Sequence, residues 1–194
     1  KSSFGFDNDT NIGAIFYTSM QAVPAFLPSV IAKKNIPCLI PLGLDQDIHF
    51  RLTRDVIDKL GYYKPAIMHC RFLPTLEGSG KMSSSKDKTI FTTDTPKEVE
   101  TKIRKYAFSG GQDTIEEHRK KGGNPEIDIS YQYLAFFEPD DKKLEKIYKD
   151  YKSGKLLTSE LKQIAIDTIN AFLKEHQKKR EKAKNQVGKF IYKE

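Results

Sequence analysis

Two short apolar runs on either side of one amphipathic segment constrain the fold of this chain most strongly. Residues 36–43 (IPCLIPLG) and residues 66–70 (AIMHC) have the length and composition of strands. Between them apolar residues recur at helical spacing, and Gly61 is suited to end that helix. A strand–helix–strand unit is the minimal element of a parallel α/β sheet, whose strands are normally buried on both faces. We therefore predict an α/β fold in which Cys38 and Cys70 are buried thiols.

Helices are predicted on both sides of this unit. Residues 11–31 form a helical stretch that two prolines should break. Residues 95–98 (TPKE) combine a capping box with proline at the first helical position, and a long helix is expected over 158–184. The pattern predicts the latter part of an α/β nucleotide-binding domain over residues 1–93 and a helical domain over 94–194. Two parallel strands leave sheet edges exposed, and the chain opens at a lysine, so we expect a piece of a larger domain.

Composition narrows the class of protein. Apolar residues make up 38% of the chain and charged residues 30%, which is typical of a globular protein rather than a disordered one. The apolar runs fall well short of the roughly 20 residues that span a bilayer, and the chain shows no signal-peptide pattern, so we expect no membrane association and a cytoplasmic location. Four scattered histidines and two cysteines predict no structural metal.

The net charge of +7 is concentrated at one end of the chain. Residues 174–194 contain eight Lys or Arg against three Glu. Such a segment is either a solvated, lysine-rich helix end or a surface that attracts phosphate.

A glycine-, lysine- and serine-containing loop follows the second predicted strand. Its sequence is Gly80-Lys81-Met82-Ser83-Ser84-Ser85. A loop of this composition can close over a polyphosphate, donate several hydrogen bonds and supply an ammonium where charge develops during phosphoryl transfer. The alternative is a flexible polar surface loop. Its position at the carboxyl edge of a predicted parallel sheet, where ligands gather in such folds, favours the phosphate-binding role.

Several motifs together resemble one enzyme family. The run Lys81–Ser85 is similar to the KMSKS signature of class I aminoacyl-tRNA synthetases, and Gly43-Leu44-Asp45-Gln46 resembles the GxDQ element of the tyrosine and tryptophan enzymes. Residues 39–47, 50–55 and 107–119 are more similar to the tryptophan enzyme of eukaryotes and archaea. The resemblance covers nearly the whole chain. It implies the carboxy-terminal half of such an enzyme: the second half of the Rossmann-like catalytic domain and an all-α anticodon-binding domain.

The resemblance also implies roles for single residues. Lys81, Ser83 and Ser85 would be catalytic, because they would bind and neutralise phosphate oxygens while the tryptophan carboxylate attacks the α-phosphate of ATP. Gln21 and Gln46 would hold the α-amino group of L-tryptophan. The ATP-binding positions would be Ile40, Gly43, Asp45, Lys81, Met82, Ser83, Ser84 and Ser85. The tRNA positions come from the residues themselves: the basic Lys178, Lys179 and Arg180 suit contact with the phosphates of tRNA-Trp, and Gln112 and Asp113 lie in a turn expected to face the anticodon. The resemblance implies only that the helical domain serves anticodon recognition. Mg²⁺ would arrive with ATP, held mainly by the phosphates.

The chain also departs from the family pattern. A class I synthetase carries a second signature, His-x-Gly-His, and none of the four histidines lies in such a motif. Because each lost transition-state donor can cost about 3–4 kcal/mol, we expect the isolated chain to be inactive. The resemblance also implies that the full-length protein is a homodimer. Two alternatives remain: a fragment of the tyrosine enzyme, and a non-catalytic module that binds tRNA or a protein. Asp45 could instead be a plain helix amino-cap, and Gln21 a surface glutamine.

Overall fold

The structure is a computed structural model that describes residues 4–78 and 88–191. The chain divides into two compact units, Lys1–Phe72 and Leu73–Glu194. Among the described residues, the first unit contains a two-stranded parallel sheet with helices, and the second unit is built from helices. The predicted α/β class is confirmed.

The first unit alternates helices and strands. Helices α1 and α2 span Ile12–Ala22 and Leu27–Ile31, and strand β1 (Leu39–Gly43) comes next. Helix α3 (Asp47–Val56) leads to strand β2 (Ala66–Cys70). The two strands pair in parallel, with Leu39 opposite Ala66 and Gly43 opposite Cys70. The strand–helix–strand unit predicted from sequence is therefore present.

Local chemistry sets the ends of these helices. The side chain of Asn11 accepts a hydrogen bond from the Gly13 amide at the start of α1. The prolines divide residues 12–31 into two helices joined by a 3₁₀ turn, as predicted. The 3₁₀ turn that follows α3, Ile57–Leu60, ends at Gly61, whose φ of 80° is in the left-handed region that favours glycine. The buried core of this unit consists of Ala25, Leu42, Phe50 and Ile57.

The prediction that both strands are buried is wrong. On the covered face of the sheet, Ile40, Leu42 and Ile67 pack into the core, but Leu39 and Met68 are half-exposed on the other face. Cys70 is exposed, and Cys38 is only half-buried and precedes β1. The reason is that helices within this unit cover one face of the sheet, whereas the pattern predicted a sheet covered on both.

The second unit contains five helices among its described residues. They are α4 (Pro96–Tyr106), α5 (Ile115–Lys121), α6 (Ile129–Phe137), α7 (Asp141–Lys152) and α8 (Thr158–Lys184). The capping box at the start of α4 is present: the Thr95 side chain accepts from the Glu98 amide, and the Glu98 carboxylate accepts from the Thr95 amide. One core cluster joins α4, α6 and α8, and another joins α6, α7 and α8.

The boundary between the two compact units along the sequence differs from the predicted domain boundary. Sequence placed a boundary between residues 93 and 94, whereas the second compact unit begins at Leu73. Leu73, Leu76 and Ile90 pack against the core of the helical unit, so the described residues on both sides of the segment 79–87 belong to that unit by packing. The functional division at residue 93 stays a prediction.

Among the helices of the described residues, none has both the length and the apolar composition needed to span a bilayer.

Candidate functional site

The predicted site residues fall into three groups in this structure. Lys81, Met82, Ser83, Ser84 and Ser85 lie outside the described residues. The predicted tryptophan and ATP positions Gln21, Ile40, Gly43, Asp45 and Gln46 all belong to the first unit. The predicted tRNA positions Gln112, Asp113, Lys178, Lys179 and Arg180 belong to the second unit.

The two predicted tryptophan-binding glutamines contact each other. Gln21 lies near the end of α1, and Gln46 lies in the 3₁₀ turn between β1 and α3. The Nε2 of Gln21 donates a hydrogen bond to Oε1 of Gln46, with a distance of 2.6 Å between the two atoms. Both side chains are half-buried. Gln21 is therefore more than an ordinary surface glutamine, because its amide is oriented by a residue 25 positions away.

Two of the predicted nucleotide positions, Gly43 and Asp45, lie at and just beyond the carboxyl end of β1, whereas Ile40 lies near the start of that strand and packs against the core. Gly43 is the last residue of that strand, and a Cβ at this position would lie 2.8 Å from the ring of Phe72. The same Cβ would lie 3.0 Å from Oδ1 of Asp45, which is exposed in the 3₁₀ turn. The explanation of Asp45 as a helix amino-cap is wrong, since the cap positions of the turn and of α3 are Gly43 and Gln46.

An acidic residue next to these positions was not predicted to have a role. Oδ1 of Asp47 is 2.6 Å from Nε2 of His69 on β2, and Oδ2 is 2.5 Å from Nε of Arg51 one turn along α3. The hydrogen bond from His69, and next to it the charge of Arg51, hold the pKa of Asp47 below its ordinary value. This contact ties the start of α3 to β2. The only sequence signal was that Asp47 directly follows Asp45-Gln46.

A cavity in the first unit lies away from the predicted site. It has a volume of about 280 Å³ and is mostly apolar. No predicted tryptophan or ATP position lines it, so we assign it no substrate. Its wall is formed by Phe4, Phe6, Ile15, Thr18, Ser19, Ala22, Leu52, Thr53 and Val56.

The predicted tRNA positions form two separate surfaces. Gln112 and Asp113 are exposed between α4 and α5, and the Gln112 amide donates to the Gly122 carbonyl at 3.0 Å. Lys178, Lys179 and Arg180 are exposed in the last third of α8.

The structure does not bring these two surfaces together. Gly111 packs beside Thr158, the first residue of α8, and Lys178 follows 20 residues later. At 1.5 Å per residue this is about 30 Å along the helix. Lys179 and Arg180 also form ion pairs with Glu175 and Glu181, which lowers the net positive charge that the helix end presents.

A buried ion pair next to the segment 79–87 was not found from sequence. The ammonium of Lys102 on α4 is 2.6 Å from a carboxylate oxygen of Asp94, and it also donates to the Thr89 carbonyl. Gln177 on α8 donates to the carbonyls of Thr92 and Asp94, each at 3.0 Å. These contacts hold residues 89–94 on two helices. A lysine and an aspartate eight positions apart give no sequence signal that they will meet.

Within residues 4–78 and 88–191, no three His, Cys, Asp or Glu side chains converge in an arrangement that could hold a metal ion.

Comparison with known proteins gives a consistent result. Residues 1–174 match the family model for tRNA synthetases of class I (W and Y). The chain is 55% identical to the tryptophan–tRNA ligase of Sulfolobus acidocaldarius over 99% of this chain and 50% of that protein. It is 50% identical to the cytoplasmic tryptophan–tRNA ligase of Saccharomyces cerevisiae over 93% of this chain and 43% of that protein.

Solved structures agree in fold. The crystal structure of tryptophanyl-tRNA synthetase from Aeropyrum pernix K1 superposes with a TM-score of 0.84 at 34% identity, over 98% of this chain and 53% of that one. The enzyme from Giardia lamblia gives 0.81 at 40% identity, over 93% of this chain and 52% of that one. The chain spans about half the length of the relatives that it matches.

Proposed function

The chain belongs to the class I tRNA synthetases for tryptophan and tyrosine, in the archaeal and eukaryotic tryptophan branch, and from this premise we propose that it serves tryptophan–tRNA ligation. The reaction is the ATP-dependent activation of L-tryptophan to its adenylate, followed by transfer to tRNA-Trp. The first unit would supply part of the amino-acid and ATP site, and the helical unit would contact the tRNA. The same premise favours a cytoplasmic location and a homodimeric full-length enzyme.

The observation that best supports the proposal is the contact between Gln21 and Gln46. An α-ammonium group carries only hydrogen-bond donors, so its site must offer oxygens. A carboxamide oxygen has two lone pairs. Oε1 of Gln46 accepts the hydrogen bond from Gln21 with one of them, and the second could accept a hydrogen bond from the ammonium. The hydrogen bond also fixes the orientation of the Gln21 amide. Two oriented amide oxygens near the end of β1 would receive the ammonium and align the carboxylate for attack.

The position of the ATP-related residues is compatible with nucleotide binding. In open parallel sheets, ligands bind beyond the carboxyl ends of the strands, where Gly43 and Asp45 lie. Asp45 is exposed and would accept from the ribose. The Phe72 ring lies where a side chain at Gly43 would be and Ile40 packs against the core, so these two ATP positions are proposed from the family resemblance. Lys81 and Ser83 to Ser85 would bind the phosphates. Mg²⁺ would be bound mainly by phosphate oxygens of ATP, since the described side chains form no cage for it.

A chimeric enzyme provides the test. This chain would replace the matching half of the Sulfolobus acidocaldarius relative, and pyrophosphate exchange would be measured with tryptophan and with tyrosine. We expect tryptophan-dependent exchange. Gln21→Ala should raise KM for tryptophan at least about tenfold, as expected for a lost hydrogen bond to a charged group, with KM for ATP unchanged. Gln186→Ala, an exposed glutamine beyond α8, should change neither.

Two results would contradict the proposal. Exchange that depends on tyrosine would assign the chain to the other enzyme of the family. An unchanged KM for tryptophan in Gln21→Ala would show that the glutamine pair does not hold the amino acid.

A second function is favoured by the helical unit. This unit has its own hydrophobic core and carries the exposed basic end of α8, which suits phosphate contact. The chain by itself would then be a non-catalytic tRNA-binding module. Salt-sensitive binding of tRNA without measurable ATP binding would support this function, and adenylate synthesis by the chain alone would exclude it.

A further inference from the structure

Asp128 is a carboxylate that is completely buried in the helical unit. Its two oxygens accept four hydrogen bonds, so the dipoles of three backbone N–H groups and one hydroxyl stabilise its charge. Among the described residues it forms no ion pair, although it lies close enough to the half-buried Lys162 to influence that side chain. Burial, the larger effect, lowers the pKa of Lys162, and the charge of Asp128 opposes it. A buried carboxylate with every hydrogen-bonding position occupied is costly to disturb.

The two oxygens of Asp128 serve different parts of the fold. Oδ1 accepts from the amides of Ser130 and Tyr131 at 2.9 and 3.3 Å, which is the ordinary capping of helix α6. Oδ2 accepts from the amide of Gly110 and from the hydroxyl of Tyr151, both at 2.8 Å. Capping needs only the first oxygen. The second joins the segment 109–113 to helix α7.

Tyr151 extends this connection to α8. The ring is completely buried, and burial raises the pKa of its hydroxyl far above the usual range. Because the hydroxyl proton is donated to Asp128, the Thr158 hydroxyl 3.1 Å away donates to the tyrosine oxygen. A Cβ at Gly111 would lie 2.2 Å from the Thr158 hydroxyl oxygen and 3.2 Å from the Tyr151 oxygen. Gly111 therefore lies directly against this hydrogen-bonded pair.

The neighbouring Gly110 is packed as closely against its surroundings as Gly111 is. A Cβ there would lie 2.0 Å from the Asn124 carbonyl oxygen, and its own carbonyl accepts from the Asn124 amide at 2.7 Å. The next two residues along the chain, Gln112 and Asp113, are exposed. Their positions thus depend on two glycines that are held by the buried Asp128 and Tyr151 and by the half-buried Thr158.

From these contacts we infer that Asp128 and Tyr151 are positioning residues, which hold the segment 109–113 so that Gln112 and Asp113 can contact the tRNA. The inference rests on the proposed role of this segment in tRNA binding. Neither residue would touch the nucleic acid. Their effect would appear in discrimination between anticodons, since phosphate contacts by the basic end of α8 carry no sequence information.

The test uses the full 194-residue chain and two transcripts: tRNA-Trp and the same tRNA with its anticodon changed. Tyr151→Phe removes one hydroxyl and keeps the ring. Tyr148→Phe is the matched control, because it lies on the same helix and its hydroxyl contacts two exposed side chains, Glu126 and Lys152, rather than a buried charge. Fluorescence anisotropy at fixed ionic strength gives both affinities, and hydrogen exchange of residues 107–113 reports on the segment itself.

We expect Tyr151→Phe to weaken binding of tRNA-Trp about tenfold, the range for a lost hydrogen bond to a charged group, and to leave the changed transcript nearly unaffected. Amide hydrogen exchange of residues 107–113 should become faster in Tyr151→Phe. Tyr148→Phe should change neither the affinity for tRNA-Trp nor the rate of hydrogen exchange. If Tyr151→Phe lowers thermal stability but keeps the wild-type discrimination, the inference is overturned while the proposed function stands. If the wild-type chain shows no preference between the transcripts, the proposed tRNA role of the segment falls, and the inference falls with it.

Discussion

Breaking the ion pair between Lys102 and Asp94 should destabilise the helical unit far more than breaking a lysine–carboxylate pair in which both side chains are exposed. The side chain of Lys102 is 16% exposed and that of Asp94 is 8% exposed. Besides this contact, the ammonium donates to the Thr89 carbonyl and lies 4.6 Å from the ring centre of Phe91. In Lys102→Met the carboxylate would stay buried with the Phe91 amide as a remaining donor. Breaking one side of a buried pair costs about 3 kcal/mol.

The cost can be measured by urea unfolding followed by far-ultraviolet circular dichroism. With a denaturant dependence of about 2 kcal/mol/M, Lys102→Met should lower the midpoint by about 1.5 M. Lys149→Met is the control: its partner Glu145 is solvent-exposed, so the midpoint should barely move. Asp94→Asn keeps an acceptor for the Phe91 amide and removes the buried charge. The double variant of Lys102→Met and Asp94→Asn should therefore be more stable than Lys102→Met alone.

Two outcomes would refute this reasoning. Equal midpoint shifts in Lys102→Met and Lys149→Met would mean that burial does not strengthen the pair. Strict additivity in the double variant would mean that the two side chains are not coupled in the folded protein, and residues 89–94 would then be held on the helices by other contacts, such as those of Gln177.

Two further predictions concern single positions. Gly122 has a φ of 75°, and a Cβ there would lie 1.9 Å from the Lys152 carbonyl oxygen, so Gly122→Ala should lower stability by at least about 1 kcal/mol in urea unfolding. Gly188→Ala, which has open space around its Cβ, should not, and equal effects would contradict the steric argument. The pKa of Asp47 is held below its ordinary 3.8 chiefly by His69, so this carboxylate stabilises the fold above pH 3.8 and loses its contribution as the pH falls through its folded-state pKa. His69→Leu, which removes the donor, should raise that pKa towards 3.8 in an NMR titration, and no change would exclude His69 as its cause.

Motifs in the sequence were enough to identify the family, and the comparisons confirm the tryptophan branch. The same motifs assigned roles to Lys81 and the serines beside it, and these roles stay predictions because the residues lie outside the described chain. The predicted roles of Gln21 and Gln46 also remain to be tested. What the coordinates add is that the two glutamine side chains are in contact.

Sequence alone also determined most of the secondary structure. Helix ends such as Thr95–Glu98 and Gly61 follow from contacts over three or four residues or from one backbone angle, so they can be recognised locally. Strand β2 was located from its apolar run for the same reason.

Only the tertiary structure decided burial and long-range pairing. Cys70 was expected to be buried but is exposed, because exposure depends on which elements cover each face of the sheet. One oxygen of Asp128 caps helix α6 through residues two and three positions away, yet the other binds Gly110 and Tyr151, 18 and 23 positions away. Local sequence fixes backbone conformation through short-range sterics and hydrogen bonds. Which side chains meet is set by the packing of whole elements, and no short pattern records it.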